Sequence, residues 1–324
     1  MSVTIPDIRF FDFDFKLLHV ENEYLSSSWT VYYNDIGTFE AHFDTGSDAL
    51  PVVMENDYLV AVQGNLSAII VGKKVADELI IYGRTCNWLL TKRITDAFDT
   101  TTDNVDVLLK EKVGEAFSDV NNFEVNAISN LPTITTNRDD KCETFSLVQE
   151  SLQLVNLGHE LKFDPVKSKW IFKILRGNEN NPLVISTVNR NVHDVSLESD
   201  LLNLCTEGWF KRQYQEEGES VVMWDKFPET PSKTGILRWK SILSAKSESE
   251  AQAAVYNSQN TNKIKLKTIG VYFGSDKDYT LGDIVSVEWQ SGNYKKREKK
   301  RIVGVNLWYE AENIGEEPIF EDVN

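Results

Sequence analysis

The N-terminal third of the chain alternates apolar and polar residues with a period of two, which is typical of β-strands that bury one face. The alternation runs from Phe11 to Phe15 in FFDFDF and returns in TFEAHF after the turn signal NDIG. SSWTVYYN is rich in aromatic and β-branched residues, and YLVAVQG, SAIIVG and ELIIYG each end at a glycine. Short strands separated by turns predict a barrel or a sandwich, and we expect Gly37 and Gly83 to take positive φ at their turns.

The apolar spacing changes to a helical period after Gly83. RTCNWLLTKRI predicts the start of a helix, and TDN at residues 102–104 offers N-cap candidates for VDVLLKEKVGEAFSD. SLVQESLQLVNLG is a second apolar stripe, which we expect to end at Gly158 as a C-cap. LKFDPVKSKWIFKILRG then predicts a β-hairpin.

The remainder of the chain returns to strands after a polar, turn-rich stretch at residues 177–232. We expect a linker around Pro228 and Pro231. SESEAQAAVYNSQ predicts a short helix in which Ser247 and Glu250 have capping-box spacing. KIKLKTIGVYF, DIVSVEWQ and KRIVGVNLWYE have the strand pattern again.

The order of these patterns predicts an α+β chain that is mainly β with a helical insertion. We expect a first β domain at residues 1–90, a helical and irregular middle region with a β-hairpin at 91–235, and a second β domain at 236–324. Neither β segment has enough long strands to close alone. The segments at 5–82 and 263–310 are therefore expected to pack side by side as related domains, with residues 105–158 inserted or appended outside them. Neighbouring subunits are expected to cover the remaining strand edges.

Composition agrees with a folded protein and limits its partners. The 324 residues are 41% hydrophobic and 26% charged, which is ordinary for a folded domain. The formal net charge is -16, with 50 Asp and Glu against 34 Lys and Arg. Phosphate backbones repel such a chain, so we expect no specific binding of nucleic acid, although DNA could pass along the protein.

No targeting or membrane-spanning stretch is evident, and we expect synthesis in a bacterial host cytoplasm without a membrane anchor. Cys86, Cys142 and Cys205 are odd in number and widely spaced. This spacing predicts reduced thiols rather than a disulfide framework.

Asp44-Thr45-Gly46-Ser47 is the sharpest enzymatic motif, because it has the letters of an aspartic protease loop. In such enzymes two Asp residues share a proton. LIIYGR faintly resembles the later apolar-Gly-Arg element of that family, but no second DTG occurs and His42 stands where an apolar approach is usual. We interpret DTGS as a turn after a strand and expect no catalytic role for Asp44.

Other catalytic and metal-binding motifs are absent from the sequence. There is no G-x-S-x-G and no glycine-rich phosphate loop. Arg84 lies near Cys86, but no His neighbours that thiol, which favours a structural role. The four His residues lack ligand spacing, and DKD at residues 276–278 with Asp283 lacks the Gly and Glu of a calcium loop. We predict no catalytic residue, no cofactor and no metal site.

The run YKKREKKR at residues 294–301 interrupts the acidic background. It lies between DIVSVEWQ and IVGVNLW, which places it at the tip and shoulders of a predicted hairpin. A solvated tip is one interpretation, and docking on an acidic partner or lining a DNA channel are the others. The candidate partner-binding residues are Lys295, Lys296, Arg297, Lys299, Lys300 and Arg301.

Four segments, taken together, resemble a family of tail proteins from long-tailed phages of Gram-positive bacteria and from phage-derived tail particles. They are IPDIRFFDFDFKLL, SWTVYYNDIGTFEAHF, ELIIYGRTCNWLLTKRI and DYTLGDIVSV. The third fits G-R-x-x-x-x-L-L-x-x-R-I from Gly83 to Ile94, and the fourth fits Y-x-L-G-D-x-V from Tyr279 to Val285. The segments span most of the chain in order, whereas residues 177–232 match only in general character.

The resemblance implies a baseplate hub rather than an enzyme. Proteins of this kind have two β-barrel-like tube domains in each subunit, and three subunits form a ring of six similar domains. The implied partners are further copies in a homotrimer, a tail tube or distal tail protein above and a tip or spike protein below. The implied location is the tail baseplate of a virion or a phage-like particle such as a tailocin. Closed rings of this kind follow the rules for cyclic oligomers.

Two other functions stay open at this point. Exposed aromatics such as Trp209, Trp224 and Trp239 would suit a receptor- or carbohydrate-binding protein at the periphery of a tail. Tryptophans in β proteins are, however, more often part of the core. The enzymatic alternative is an aspartic protease or a tail-tip hydrolase, and DTGS is its main support.

Overall fold

The computed structural model describes residues 6–126, 130–138, 140–216, 219–245, 247–259, 262–274, 277–310 and 313–323. The opening residue of the first resembling segment, Ile5, and Asp276 of DKD lie outside these ranges. Contacts divide the chain into two compact units. Unit 1 comprises Met1–Val195 and Lys265–Val323, and unit 2 comprises Ser196–Ile264. The domain borders predicted near residues 90 and 235 separate two β tube domains from a middle region, which is a different division from these contact units. Those borders stay a prediction.

The chain is mainly β with helices, as predicted. The strands before unit 2 are β1 (Ile8–Phe11), β2 (Leu17–Glu21), β3 (Ser26–Tyr32), β4 (Thr38–Asp44), β5 (Val60–Gln63), β6 (Leu66–Val75), β7 (Glu78–Thr85), β8 (Ile94–Thr95), β9 (Phe98–Asn104), β10 (Phe123–Asn126), β11 (Thr133–Arg138), β12 (Cys142–Glu143), β13 (Gly158–Asp164), β14 (Lys169–Leu175) and β15 (Val184–Ser186). The helices among them are α1 (Ala49–Glu55), α2 (Val105–Ala116), α3 (Thr144–Gln153) and a 3₁₀ helix at Cys86–Lys92.

The later elements complete both units. The strands are β16 (Val192–Ser199), β17 (Glu207–Glu216), β18 (Glu219–Phe227), β19 (Lys240–Ile242), β20 (Asn262–Thr268), β21 (Ile284–Ser291), β22 (Tyr294–Glu310) and β23 (Asn313–Asp322). The helices are α4 (Glu248–Ser258) and a 3₁₀ turn at Gly235–Leu237. The division between the units falls within β16 and β20, which pair with each other.

An 11-stranded sheet organises unit 1, in the order β15-β21-β22-β3-β4-β7-β6-β5-β1-β2, with β23 also paired to β22. The two β segments predicted to pack side by side are hydrogen-bonded neighbours in this sheet, because β22 pairs antiparallel with β3 and places Leu307 opposite Trp29. The predicted alternation holds in β3 and β4, where every second residue is buried. Trp29 and Phe39 pack at 4.3 Å between ring centroids, and Trp29 Nε1 donates to buried Gln63 Oε1 at 2.6 Å.

The predicted strand through FFDFDF is wrong beyond Phe11, where β1 ends. The Asp12 carboxylate accepts hydrogen bonds from the backbone N–H groups of Asp14 and Lys16, and Phe15 takes a φ of 67°. The segment is therefore a turn held by a side chain. Its phenylalanines still pack inward, because Phe15 stacks on Phe163 at 4.5 Å between ring centroids.

The helices α2 and α3 share a buried core with strands of the N-terminal β segment. Helices α2 and α3 begin close to their predicted starts, and their apolar stripes enter one buried cluster with residues of β1, β5 and β6. Leu109 and Leu147 belong to this cluster together with Val60 and Ile69. An apolar helical stripe must be covered, and here the N-terminal sheet covers it.

Gly158 is not the C-cap of α3, which ends at Gln153. Asn156 takes the left-handed conformation after the helix, with a φ of 55°, and Gly158 begins β13. A Cβ on Gly158 would lie 2.1 Å from the carbonyl oxygen of Tyr33. The glycine therefore permits a close crossing, at which Tyr33 Oη also donates to the carbonyl of Leu175 at 3.0 Å.

Gly37 and Gly83 were expected to need positive φ, and neither has it. Both are required by close approach instead. A Cβ on Gly37 would lie 2.0 Å from the carbonyl oxygen of Thr30, and one on Gly83 would lie 2.6 Å from that of Ile69.

Two outer strands of the main sheet, β15 and β2, are covered by the chain itself. At β15, Asn191 Oδ1 accepts from the backbone N–H of Ser186 at 2.8 Å, and Asn191 Nδ2 donates to the carbonyl of Val184 at 2.8 Å. The amide of this side chain thus takes the place of a neighbouring strand. At the other end α1 packs beside β2, where Ser47 Oγ donates to Glu21. The expectation of edges left open for another subunit is not met at β15.

Unit 2 is built on a three-stranded sheet in the order β18-β17-β19. Helix α4 packs against β17 and β18. Its predicted cap is present, because the backbone N–H of Glu250 donates to Ser247 Oγ at 3.2 Å. The predicted turn-rich stretch therefore contains long strands, which its polar composition does not indicate.

Candidate assembly surfaces

The basic run lies in a strand rather than at a hairpin tip. Strands β21 and β22 are antiparallel, and Ser291 pairs with Tyr294, so the turn is Gly292-Asn293 and the run begins beyond it. Gly292 has the positive φ of 56° that a two-residue turn requires. Because side chains alternate between the faces of a strand, the run is divided into two sets with different surroundings.

Lys295, Arg297 and Lys299 form one exposed row on β22, which we call the cationic row. Alternate positions along a strand place their side chains at intervals of about 7 Å. Lys295 Nζ contacts Glu288 Oε1 of β21 at 2.6 Å, and this hydrogen bond holds the pKa of Glu288 below its ordinary value. Glu288 also attracts Arg297, so among the described residues three cations of the row share this one carboxylate and the row keeps a positive surplus.

Lys296 and Lys300 point to the opposite side and are paired within the chain. Lys296 Nζ lies 2.5 Å from Glu298 Oε1, and this contact raises the pKa of Lys296. Lys300 is only 1% exposed and is ion-paired with Asp322 of β23 and with Glu298. We correct the predicted partner surface at Lys300, because its buried ammonium group is already matched by carboxylates inside the chain.

Arg301 is also engaged inside the chain, since its Nη1 donates to the carbonyl of Gly282 at 3.0 Å. Next to it, the Asp283 carboxylate is almost fully buried and receives four hydrogen bonds. The donors are Asn178 N at 2.7 Å, Asn181 Nδ2 at 2.8 Å, Thr280 N at 3.0 Å and Thr280 Oγ1 at 3.2 Å. Protein donors fill both oxygens, so Asp283 is a structural clamp rather than part of a calcium loop.

DTGS has the predicted turn geometry. Asp44 is the last residue of β4, and its Oδ1 accepts a hydrogen bond from the backbone N–H of Gly46 at 2.7 Å. Its carbonyl oxygen accepts a hydrogen bond from the backbone N–H of Ser47 at 3.0 Å. Ser47 Oγ in turn accepts from the backbone N–H of Ala49 at the start of α1. The motif thus connects a strand to a helix, and the side chains of Asp44 and Ser47 both accept backbone hydrogen bonds within that turn.

The Cys86 thiol and the imidazoles of His159 and His42 have surroundings that fit structural roles. Burial raises the pKa of Cys86 to about 12, so this thiol is protonated, as its predicted structural role requires. Burial lowers the pKa of His159 to about 3, and its Nδ1 lies 2.9 Å from Asn34 Oδ1. His42 bridges Glu40 and Glu78, and the hydrogen bond to Glu78 raises the pKa of His42.

No group of three or more His, Cys, Asp or Glu residues suited to a metal ion occurs in the described part of the chain. None of the helices in that part is both long and apolar enough to cross a membrane.

A second surface, not found from the sequence, lies in unit 2. Trp209 and Trp224 lie on β17 and β18, and Trp239 lies just before β19. Trp224 and Trp239 are exposed, whereas Trp209 is half-buried. The tryptophans were noted as possible contact residues, but only the strand pairing brings the first two onto one sheet.

No protein-family model matches the sequence, and no curated protein matches it. Solved structures do match. A tail protein from Neisseria meningitidis MC58 aligns over 98% of this chain and 97% of its own, with a TM-score of 0.62 and 13% identity.

Two prophage proteins give similar alignments. The 43 kDa tail protein of prophage MuSo2 from Shewanella oneidensis covers 98% of both chains, with a TM-score of 0.60 and 10% identity. The prophage tail protein gp18 from Listeria monocytogenes EGD-e aligns over 97% of this chain and 94% of its own, with a TM-score of 0.56 and 14% identity. The chain has the fold of phage tail proteins.

Proposed function

We propose that this protein is a structural subunit of a phage-type tail and forms the hub of its baseplate. The observation that carries the proposal is the end-to-end fold match, because nearly all of this chain and nearly all of each tail protein align. The segments that resemble tail proteins of long-tailed phages of Gram-positive bacteria support the same role and such a host. The particle is a phage or a phage-derived tailocin.

In this role the chain forms a homotrimeric ring that joins the tail tube above to a tip protein below. Subunits of a ring carry two different contact surfaces, since each copy meets the next head to tail. The cationic row supplies a further surface for an acidic neighbour in the tail. Exposed charges of this kind act mainly on the rate and specificity of association, and salt weakens them.

The protein acts without catalysis in this proposal. The Asp44 turn and the protonated Cys86 thiol support a structural role for the two residues with the strongest enzymatic motifs. Replacing Asp44 by Asn tests the enzymatic alternative: assembly should persist, and no peptidase activity between pH 4 and 7 should depend on this residue. A folded variant that loses a measurable wild-type peptidase activity would overturn the structural role.

The assembly role is tested by reversing the cationic row with K295E, R297E and K299E, leaving buried Lys300 intact. The matched control reverses the exposed lysines Lys74, Lys110 and Lys167 with the same change in charge. The row variant should fold normally but enter tail particles poorly, with a defect that depends on salt, whereas the control should assemble. If wild-type protein is absent from particles, the hub role is wrong; if both variants assemble equally, only the docking role of the row is wrong.

A further inference from the structure

One face of the unit 2 sheet is covered and the other is open. Phe210 of β17 is fully buried, and a Cβ on Gly208 would lie 3.0 Å from the side chain of Val255 in α4. Phe227 of β18 packs edge-on against Tyr256 of α4, with 5.9 Å between ring centroids. These residues share one face by strand pairing, so α4 covers that face.

The opposite face carries apolar side chains that nothing in the described chain covers. Trp209 of β17 pairs with Ile242 of β19. On β18, Trp224 pairs with Lys211, and Val222 lies two positions beyond Trp224 on the same face. The exposed fractions are 56% for Val222, 47% for Trp224 and 79% for Ile242. We call this surface the tryptophan face. A cluster of exposed apolar residues ringed by polar ones is typical of an interaction site.

The tryptophan face is positively charged. Lys211 Nζ lies 5.3 Å from the ring centroid of Trp224, and Lys240 Nζ lies 5.9 Å from that of Trp209. Glu207, on the same side of β17, is fully buried and paired with Arg238 and Lys240. The ammonium groups already occupy positions over both indole rings, which disfavours the stacking of a sugar or a base. Carboxylates and apolar side chains of a protein fit the face better.

We propose that the tryptophan face binds a carboxylate-bearing surface on the next copy of this chain. Each copy carries a net charge of -16, so copies repel each other unless a positive surface of one meets a negative surface of the next. The described chain offers two positive surfaces. The cationic row is polar, whereas the tryptophan face adds apolar area, and contacts between permanent subunits are the more apolar class.

The size of the tryptophan face sets how much of an interface it can form. Two strands of nine and ten residues and a third strand of three residues have a face of roughly 350 Å², from strand spacing and rise. A stable interface needs about 800 Å² per partner, so the face forms the apolar centre of a larger contact.

This inference rests on the proposed ring, and its test keeps the two apart. The variant V222E/I242E places two carboxylates on the tryptophan face, and V222T/I242S removes apolar area without adding charge. The control V166E changes a residue that is 93% exposed in the β13–β14 turn of unit 1. Sedimentation velocity over a concentration series measures assembly, and thermal unfolding checks that each variant is folded.

We expect wild-type protein and V166E to form the same ring. V222E/I242E should raise the dissociation constant at least tenfold, V222T/I242S should have a smaller effect, and higher salt should weaken the wild-type ring. If both face variants form the ring at wild-type concentrations, the inference is wrong and the hub role stands. If wild-type protein is monomeric throughout, both the ring and this inference fail. If wild-type protein stays monomeric and binds poly-L-glutamate or oligo-dT through this face, the inference is wrong and the ligand of the face is a polyanion rather than a second copy.

Discussion

Replacing Asp283 by Asn tests whether its buried carboxylate holds the C-terminal strands to the segment before β15. Each carboxylate oxygen accepts two hydrogen bonds, from Asn178 and Thr280 at Oδ1 and from Asn181 and Thr280 at Oδ2. Asparagine has one acceptor oxygen and one NH₂ group, so in either orientation its NH₂ faces two donors. The variant keeps the shape of the side chain and loses half of the acceptors.

The size of the loss follows from the burial of these groups. A hydrogen bond to a charged group contributes about 1.5–3 kcal/mol, and a buried donor left without a partner costs about 1–3 kcal/mol. With two such bonds lost, we expect the free energy of unfolding to fall by roughly 3–5 kcal/mol. For a unit of this size the melting temperature should drop by about 2–4 °C per kcal/mol.

Thermal and urea unfolding, followed by circular dichroism, measure this effect. Thr280→Ala removes one hydroxyl donor, whose hydrogen bond to the carboxylate is 3.2 Å long, so it should cost about 1.5 kcal/mol, at the lower end of that range. Asp57→Asn is the surface control, because the Asp57 side chain is 87% exposed and its ion pair with Lys73 is 3.6 Å long. That control should stay within about 0.5 kcal/mol of wild type. If Asp283→Asn also stays within 1 kcal/mol of wild type, the clamp does not stabilise the fold.

Two further predictions concern stability. Gly83→Ala should destabilise the protein by about 1–3 kcal/mol, because its Cβ would lie 2.6 Å from the carbonyl oxygen of Ile69. Gly114→Ala is the control in α2, where the new Cβ has open space, and it should stabilise the protein slightly. Equal effects of the two substitutions in urea unfolding would refute the close-approach argument. Burial raises the pKa of Glu316 above 4.5, so the native state gains a proton before the unfolded chain does as the pH falls. The stability of wild type relative to Glu316→Gln should therefore increase between neutral pH and pH 4.5, and a pH-independent difference in unfolding free energy would contradict this.

The local hydrophobic pattern was sufficient to predict elements that bury one continuous face. The strands β3 and β4, the helices α2 and α3 and the β13–β14 hairpin were predicted from periodicity, because each has one continuous buried face. The strand predicted through FFDFDF was wrong beyond Phe11, because an alternating pattern does not indicate that the Asp12 side chain accepts the hydrogen bonds of a turn. The strands of unit 2 were missed because one of their faces carries exposed lysines and tryptophans rather than a clean polar alternation.

The candidate surface was only half predictable for a related reason. Charge density identified the basic run, but the strand turns Lys295 and Lys300 toward opposite sides. The residue that neutralises Lys300 is Asp322, which arrives from β23 through strand pairing. Nothing in the local sequence indicates that contact, so the exposed and the buried members of the run could be separated only from the fold.

The asparagine that occupies the edge of β15 has a consequence for the protein before it meets any partner. A sheet with a free edge recruits any extended chain, including an identical one, and so grows into fibres. Here the positions that would start such growth are filled by one short side chain, at Ser186 and Val184. Newly made subunits can accumulate without polymerising through that edge. In the proposed tail role, the order of construction is then left to surfaces that recognise a particular neighbour.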